Sequence, residues 1–212
     1  MKPIPILYGR STLSEHHVFE NGSRDVRVPI DFIVYYLEAE GRKILIDAGC
    51  DTMPRFEMVD FIGPVAALKN HGIDADDITD LIVTHSHHDH IEGVKHFQNA
   101  TVYIQREEYE KGKKYIPEGF SVVLFEDSLK LCEGVRIVTI GGHSRGSCIV
   151  EITDTDSIYA VCGDECYSPR CLEEGIPTGS SVCPEKSRAF VEKYRSAPYV
   201  ALLCHQMPPL TH

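Results

Sequence analysis

The sequence predicts an α/β (α+β) fold in which two β-sheets pack face to face and helices cover their outer sides. Short apolar segments occur early and late in the chain, and helical segments lie between them. The chain has 212 residues, 42% of them hydrophobic, which is enough to bury a core. No repeat, low-complexity tract or long linker interrupts it, so we expect a single domain over residues 1–212.

The first predicted pair of strands comes from the segment "DFIVYYLEAEGRKILIDAG". β-branched and aromatic residues flank Glu40 and Gly41, which predicts a tight turn between two strands. A helix is expected over 63–70, with Val65 and Leu68 on one face, and His71 with Gly72 should end it.

The remaining elements follow at short intervals. A short helix is expected after His90, and the segment "PEKSRAFVEKYRS" has the pattern of a helix. The predicted strands are "DLIVTH", "TVYIQ", "SVVLF", "VRIVTI", "SCIVEIT", "SIYAVCG" and "YVALLC".

The charge of the chain excludes some partners. The net charge is -11 and the basic residues are scattered, whereas nucleic-acid binding depends largely on clustered Lys and Arg. No apolar run approaches the roughly 20 residues that cross a bilayer, and "MKPIPILYGR" has no hydrophobic signal core. We therefore expect a cytoplasmic protein that acts on a small molecule, without nucleic acid or membrane; a homo-oligomer stays open.

Eight cysteines are present, and several lie in strand-like segments. In a reducing compartment they are expected to be free thiols that pack as small apolar residues. Four of them could suggest a zinc site, but they lack the paired C-x2-C spacing of such sites. These four are Cys162, Cys166, Cys171 and Cys183.

The segment "THSHHDH", residues 84–90, places four histidines and one aspartate directly after an apolar strand. His85 and His87 are two residues apart, so on extended backbone both side chains point to the same side and can bind one cation. Asp89 and His90 follow the turn and can reach a second cation nearby. This donor density predicts a metal site rather than a solvated loop.

Three further donors follow apolar strands in the same way: His143 in "VTIGGHSRGS", Asp164 in "AVCGDECY" and His205 in "ALLCH". The Gly-Gly turn before His143 lets the backbone approach closely. Repeated use of a strand that ends in a metal-type ligand favours one shared site. The remaining histidines lack this context and are expected at the surface: His16, His17, His71, His96 and His212.

The donor set predicts hydrolytic chemistry. Two divalent cations held by imidazole and carboxylate lower the pKa of a water between them and polarise a carbonyl or phosphoryl oxygen. Zinc suits such mixed ligands best, and iron and manganese are also compatible with them.

The motifs "HSHHDH", "GGHSRGS" and "GD", followed by a late histidine, resemble the metallo-β-lactamase superfamily over nearly the whole chain. This resemblance implies a four-layer αββα sandwich of two mixed β-sheets with a dinuclear metal centre at one edge. It implies seven ligands: His85, His87 and His143 for the first metal, Asp89, His90 and His205 for the second, and Asp164 as the bridge. Asp47 in "LIDAG" would orient these ligands from behind, and an ordinary turn aspartate is the alternative.

Tyr167 lies three residues after Asp164, and this spacing resembles the N-acyl homoserine lactonases of the superfamily, as does the segment "VYIQREEYE". The resemblance implies that the tyrosine hydroxyl hydrogen-bonds the lactone near the attacked carbonyl. A tyrosine that only packs, with its hydroxyl at the surface, is the alternative. Asp89, Asp164 and Tyr167 are the predicted catalytic residues.

Three positions depart from the lactonase pattern: His88 replaces an aromatic residue, Gln206 replaces an aspartate, and Arg145 stands where proline is common. His88 is expected to make the pocket wall more polar. Arg145 could meet an anionic substrate, but we expect it to be solvated.

The predicted function is a dinuclear metal-dependent hydrolase that opens a lactone or related ester with a metal-activated water. The alternatives are a thioesterase or phosphodiesterase of the same superfamily, and a non-catalytic metal-binding protein. An intact set of seven ligands argues against the last of these.

Overall fold

The structure is a computed structural model that describes residues 1–208. His212, expected at the surface, lies outside the described residues. The first sheet has the strand order β1 (Ile4–Ser14), β2 (Arg27–Ala39), β3 (Arg42–Ile46), β4 (Asp80–Val83), β5 (Thr101–Gln105) and β6 (Ser121–Phe125). The second has the order β11 (Tyr199–Leu202), β10 (Ile158–Val161), β9 (Cys148–Thr153), β8 (Val135–Thr139) and β7 (Ser128–Cys132).

Both sheets are mixed. Strands β1 to β3 pair antiparallel and β3 to β6 pair parallel, while β7 to β10 pair antiparallel and β11 joins β10 in parallel. The helices are α1 (Glu15–Val18), α2 (Pro64–Asn70), α3 (His88–Ile91), α4 (Arg106–Gly112), α5 (Pro169–Glu174) and α6 (Pro184–Tyr194). None of these helices has the length and hydrophobicity needed to cross a membrane.

The two-residue period of the strands builds the four layers. Ile44 and Ile46 pack between the sheets, whereas Leu45 faces the outer helices with Leu68 of α2. On the far side of the second sheet, Phe190 of α6 and its apolar neighbours cover β9 and β10. Each fully buried side chain of this size contributes about 1.5–3 kcal/mol. The predicted αββα sandwich of two mixed β-sheets is confirmed.

The predicted turns agree closely with the structure. Glu40 and Gly41 both have positive φ, 50° and 76°, as a tight β-hairpin turn requires. Helix α2 begins one residue after Gly63, and the Gly72 N–H donates to the Lys69 carbonyl at its end.

The short helix predicted after His90 begins earlier. Helix α3 starts at His88, with His87 as its flanking residue, so Asp89 and His90 lie within its single turn. A 3₁₀ turn over Glu92–His96 continues it. Because the helix starts directly after the His-x-His pair, it turns Asp89 and His90 away from His85 and His87 and toward a second position.

Candidate metal centre

The predicted ligands meet at one edge of the sandwich because their strands end there. β4 runs parallel to its neighbours, and its extension carries the segment 84–90 to this edge. The Cys148 N–H of β9 donates to the Thr84 carbonyl at 2.9 Å, which joins the two sheets beside the site. Asp164 and His205 follow the parallel strands β10 and β11.

The first group of converging donors contains His85, His87, His143 and Asp164, whose ligand atoms all lie within 4.8 Å of one another. Nδ1 of His87 is 3.0 Å from Nε2 of His85 and 2.9 Å from Nε2 of His143. Oδ2 of Asp164 lies 3.5 Å from His85 Nε2 and 3.4 Å from His143 Nε2. These four atoms therefore surround one point.

The second group contains Asp89, His90 and His205, whose ligand atoms also lie within 4.8 Å of one another. Oδ1 of Asp164, the other oxygen of the same carboxylate, is 3.1 Å from His90 Nε2 and 2.9 Å from His205 Nε2. Asp164 thus presents one oxygen to each group.

In four of the ligand histidines, the ring nitrogen that points away from the site makes a hydrogen bond. This bond fixes which nitrogen faces the site, as His143 and His205 show. His143 Nδ1 lies 2.6 Å from the Ser180 carbonyl, and His205 Nδ1 lies 2.9 Å from the Asp31 carbonyl. A carbonyl only accepts, so in each ring Nδ1 carries the hydrogen and Nε2 keeps a lone pair toward the site.

Asp47 holds the other two rings from behind. Its Oδ2 accepts from His90 Nδ1 at 2.7 Å and from Thr84 Oγ1 at 3.0 Å. Thr84 Oγ1 uses its hydrogen there, so it accepts from His85 Nδ1, 3.2 Å away. Asp47 also accepts from the Thr84 N–H at 2.8 Å and adopts a positive φ of 63° to do so. Its position matches the orienting role that the resemblance implies.

The donor set fits divalent cations. Lone pairs and carboxylate oxygens face each other with few hydrogens between them, and buried His90 Nε2 has no hydrogen-bond partner in the described part of the chain. Burial disfavours charge on His90, but Asp47, Asp164 and Asp89 outweigh it and raise its pKa well above the ordinary value. These three carboxylates therefore stabilise positive charge at His90, in the second group.

Tyr167 stands at the same carboxylate. Its hydroxyl donates to Asp164 Oδ2 at 2.5 Å, and its ring stacks on His205 with centroids 4.9 Å apart. Burial, followed by the nearby Asp164 charge, raises the pKa of Tyr167 well above its ordinary value, so the hydroxyl stays a donor at neutral pH. The alternative of a hydroxyl at the surface does not match this position.

A cleft of about 220 Å³ opens onto both groups. Its lining includes the apolar side chains of Phe32, Met53 and Phe56, together with Tyr167 and Ser180. A larger cavity of about 370 Å³ adjoins it and shares three of its wall residues, Ile30, Tyr167 and His205.

His88 and Arg145, which depart from the lactonase pattern, are not among the residues that line the cleft. His88, expected to make the wall more polar, instead donates through its Nε2 to the Thr52 carbonyl at 2.7 Å and so holds the loop that carries Met53. Arg145 is exposed, as expected. His17 is exposed too, but it lines the rim of the cleft.

A buried carboxylate that the sequence analysis missed supports the His143 loop. Glu165 accepts from the Gly142 and His143 N–H groups, both at 3.1 Å, and from Ser147 Oγ at 2.5 Å. A Cβ on Gly142 would lie 2.4 Å from Glu165 Oε2, which explains the glycine before His143. An acidic residue inside the apolar segment "AVCGDECY" was the available signal.

A family model described as the metallo-beta-lactamase superfamily matches residues 34–199, a range that contains every predicted ligand except His205. The chain belongs to the metallo-β-lactamase superfamily.

Two relatives within this superfamily differ in activity. The chain is 27% identical over 170 residues to an N-acyl homoserine lactonase of Bacillus cereus, covering 68% of this chain and 67% of that enzyme. It is 30% identical over 131 residues to a hydroxyacylglutathione hydrolase of Yersinia pestis (strain Pestoides F), covering 58% of this chain and 45% of that enzyme.

A solved structure has the same metallo-β-lactamase fold. It is an N-acyl homoserine lactone hydrolase with the product N-hexanoyl-L-homoserine bound at its catalytic metal centre. The TM-score is 0.80 at 22% identity, over 96% of this chain and 92% of that one. The family, together with the lactonase among the chain's relatives, identifies the chain as a metal-dependent hydrolase.

Proposed function

We propose that this chain is a dinuclear metal-dependent hydrolase that opens a lactone or a related ester. The first ion would be held by His85, His87 and His143 and the second by Asp89, His90 and His205, with Asp164 between them. Zinc suits this mixture of imidazole and carboxylate best, and iron or manganese are the alternatives.

The observation that carries the proposal is the double orientation of Asp164. Its Oδ2 faces the first group at 3.4–3.5 Å and its Oδ1 faces the second at 2.9–3.1 Å. Burial raises the pKa of Asp164, but the surrounding histidines, His90 first, outweigh burial and hold it well below the ordinary value. An ionised carboxylate with both oxygens engaged in this way is suited to bridge two cations.

The chemistry divides between the ions and the chain. When bound, two divalent ions activate a water and polarise the substrate carbonyl. Tyr167 supplies a hydroxyl donor at the cleft wall, aimed at the carboxylate beside which the reaction would occur. As negative charge develops on the substrate, this hydroxyl can turn from Asp164 to the substrate oxygen and stabilise it.

The leaving alcohol needs a proton, and the carboxylate of Asp164 is placed to carry it. Asp164 would accept the proton of the attacking water and pass it to the leaving oxygen. Asp89 also lines the cleft, with its Oδ2 3.6 Å from His90 Nε2 and 3.7 Å from His205 Nε2. Its contribution would be to hold the second group and the polar wall in place.

The shape of the cleft favours esters with a small apolar acyl group. The wall formed by Phe32, Met53, Phe56 and their neighbours is apolar, whereas the cleft volume of about 220 Å³ lies below the roughly 300 Å³ at which small-molecule pockets usually begin. A short acyl chain fits the cleft itself, whereas a longer one would have to extend into the adjoining cavity of about 370 Å³.

Zinc-loaded protein is expected to hydrolyse short-chain acyl lactones with a kcat/KM at least about 10-fold above that for thioesters and phosphodiesters, equivalent to about 1.4 kcal/mol in the transition state. The measurement is a panel of lactones of increasing chain length, thioesters and phosphodiesters. Protein stripped by a chelator is the control and should turn over none of them.

A thioesterase is the second candidate because one relative is a hydroxyacylglutathione hydrolase. Preference for a thioester in the same panel would replace the lactonase proposal with this one. Preference for a phosphodiester would exclude both.

A further inference from the structure

One buried carboxylate outside the ligand set touches both loops that carry the first group of histidines. Glu108 is 1% exposed. Its Oε2 accepts from the Ser86 N–H at 3.0 Å and from Ser86 Oγ at 2.6 Å. Its Oε1 accepts from Ser144 Oγ at 2.8 Å and from the Gly146 N–H at 3.0 Å. Ser86 separates His85 from His87, and Ser144 follows His143.

The topology explains why Glu108 lies there. β5 runs parallel to β4, so helix α4, which follows β5 directly, begins at the same edge as the segment 84–90. The Gln105 side chain caps α4 by accepting from the Glu107 N–H at 2.5 Å. This cap fixes the first turn of α4 and thereby the side chain of Glu108.

The packing around α4 leaves no room for a side chain at two glycine positions. A Cβ on Gly146 would lie 2.2 Å from Gln105 Oε1 and 3.0 Å from Glu108 Cγ. A Cβ on Gly112, the last residue of α4, would lie 3.0 Å from Ser86 Cβ. Glycine at both positions lets the two loops press directly against the helix.

The charge of Glu108 strengthens these contacts. Burial alone would raise its pKa, but hydrogen bonds from Ser86, Ser144 and the backbone outweigh burial and lower it to about 2. Glu108 is therefore ionised at neutral pH, and hydrogen bonds to an ionised acceptor are about twice as strong as those between neutral groups.

We propose that Glu108 is a positioning residue that clamps the 85–87 and 143–146 segments together and so sets the spacing of His85, His87 and His143. The inference rests on the proposed function, because it assigns these three histidines to one ion.

The second group of ligands has separate tethers, which makes the proposed effect selective. The Tyr8 hydroxyl donates to the Asp89 carbonyl at 2.9 Å, and Asp47 accepts from His90. His205 Nδ1 donates to the Asp31 carbonyl. None of these contacts involves Glu108, so loss of its charge should weaken the first site and leave the second nearly unchanged.

The variant Glu108→Gln tests this selectivity. Glutamine keeps the size of the side chain, but its NH₂ group is a donor and cannot accept. In one orientation it faces the two donors of Ser86, and in the other it faces the donors of Ser144 and Gly146. We expect the affinity for one of two Co²⁺ ions to fall about 10-fold to 100-fold, the range typical of groups that hold metal ligands in place. Titration followed by visible absorption resolves the two ions and reports the geometry of each.

Asp80→Asn is the matched control. Asp80 is also 1% exposed and accepts hydrogen bonds from Arg42, Thr79 and Tyr103, but it lies at the opposite end of β4. We expect this variant to lose stability while both Co²⁺ affinities stay near those of the wild type. Equal weakening of both ions in Glu108→Gln, or the same pattern in Asp80→Asn, would overturn the clamp.

A measurement without added metal separates the clamp from the dinuclear proposal. Amide hydrogen exchange of the full chain should be faster in the 84–88 and 142–147 peptides of Glu108→Gln, and not in those of Asp80→Asn. Unchanged exchange would refute the clamp. Binding of fewer than two Co²⁺ ions by the wild type would instead refute the dinuclear proposal.

If Glu108→Gln does not fold, Ser144→Ala removes one of the same hydrogen bonds and should give a smaller selective effect.

Discussion

Replacing Asp164 by Asn is expected to lower kcat/KM by about 10³-fold or more, the scale seen when one member of a catalytic unit is removed. The substitution keeps the shape of the side chain but removes the charge that faces His90 and His205 through Oδ1 and His85 and His143 through Oδ2. One amide cannot offer an oxygen to both groups. Steady-state kinetics on the best ester of the panel, with metal content measured on the same sample, checks this expectation.

The control for Asp164→Asn is the same chemical change at Asp80, which is buried but lies at the far end of β4. Asp80→Asn should keep near-wild-type turnover per folded molecule. A fall in kcat/KM of less than about 10-fold in Asp164→Asn would be smaller than the usual effect of a residue that only supports a metal ligand. That result would contradict a central role of Asp164 in the mechanism.

Replacing Tyr167 by Phe is expected to lower kcat by about 10²-fold to 10³-fold, the effect of losing one donor that acts mainly in the transition state. The ring would keep its stacking on His205, and only the hydroxyl that donates to Asp164 would be lost. Metal content and Tm should therefore stay near the wild-type values. Kinetics on a lactone, with KM and kcat determined separately, makes the measurement.

Tyr194→Phe is a matched control for this change. The Tyr194 hydroxyl also donates to a carboxylate, Glu151 Oε1 at 2.7 Å, but it lies on α6 outside the cleft. This variant should leave kcat unchanged. Undiminished lactone turnover in Tyr167→Phe would contradict the lactonase mechanism. Only the broader proposal of a dinuclear hydrolase would then stand.

The features that could be predicted from the sequence share one property: each is local and carries its own pattern. Apolar runs bounded by turn residues predicted β4 and β10, and Glu40 with Gly41 predicted the β2–β3 turn. Five of the predicted ligands lie shortly after the end of a strand, and Asp89 and His90 lie in helix α3. The structure brings all seven together, although their roles toward metal stay predictions.

The elements that were missed have weaker local signals. β1 contains Gly, Arg and Ser among its apolar residues, and its pairing with β2 shifts register between Leu7 and Gly9. β7 is a short edge strand in which Lys130 separates Leu129 from Leu131. Such strands form through pairing with neighbours, and this information is absent from a local window.

The groups that hold the ligands were missed for a different reason. The carbonyls of Ser180 and Asp31 fix the orientation of His143 and His205. Every residue has a backbone carbonyl, so a sequence gives no sign of which carbonyl does this. Glu108 is one of several acids in "QREEYE", and only the tertiary structure shows which of them is buried. His88 sits inside the metal motif, yet it bonds a neighbouring loop instead of the cleft.

The most direct test of the dinuclear centre is the metal content of the wild-type protein. Elemental analysis of protein purified from zinc-supplemented medium should give about two ions per chain, since His85, His87 and His143 form one group, Asp89, His90 and His205 the other, and Asp164 faces both. A content of one ion or none, unchanged by reconstitution with Zn²⁺, Fe²⁺ or Mn²⁺, would contradict a dinuclear centre bridged by Asp164.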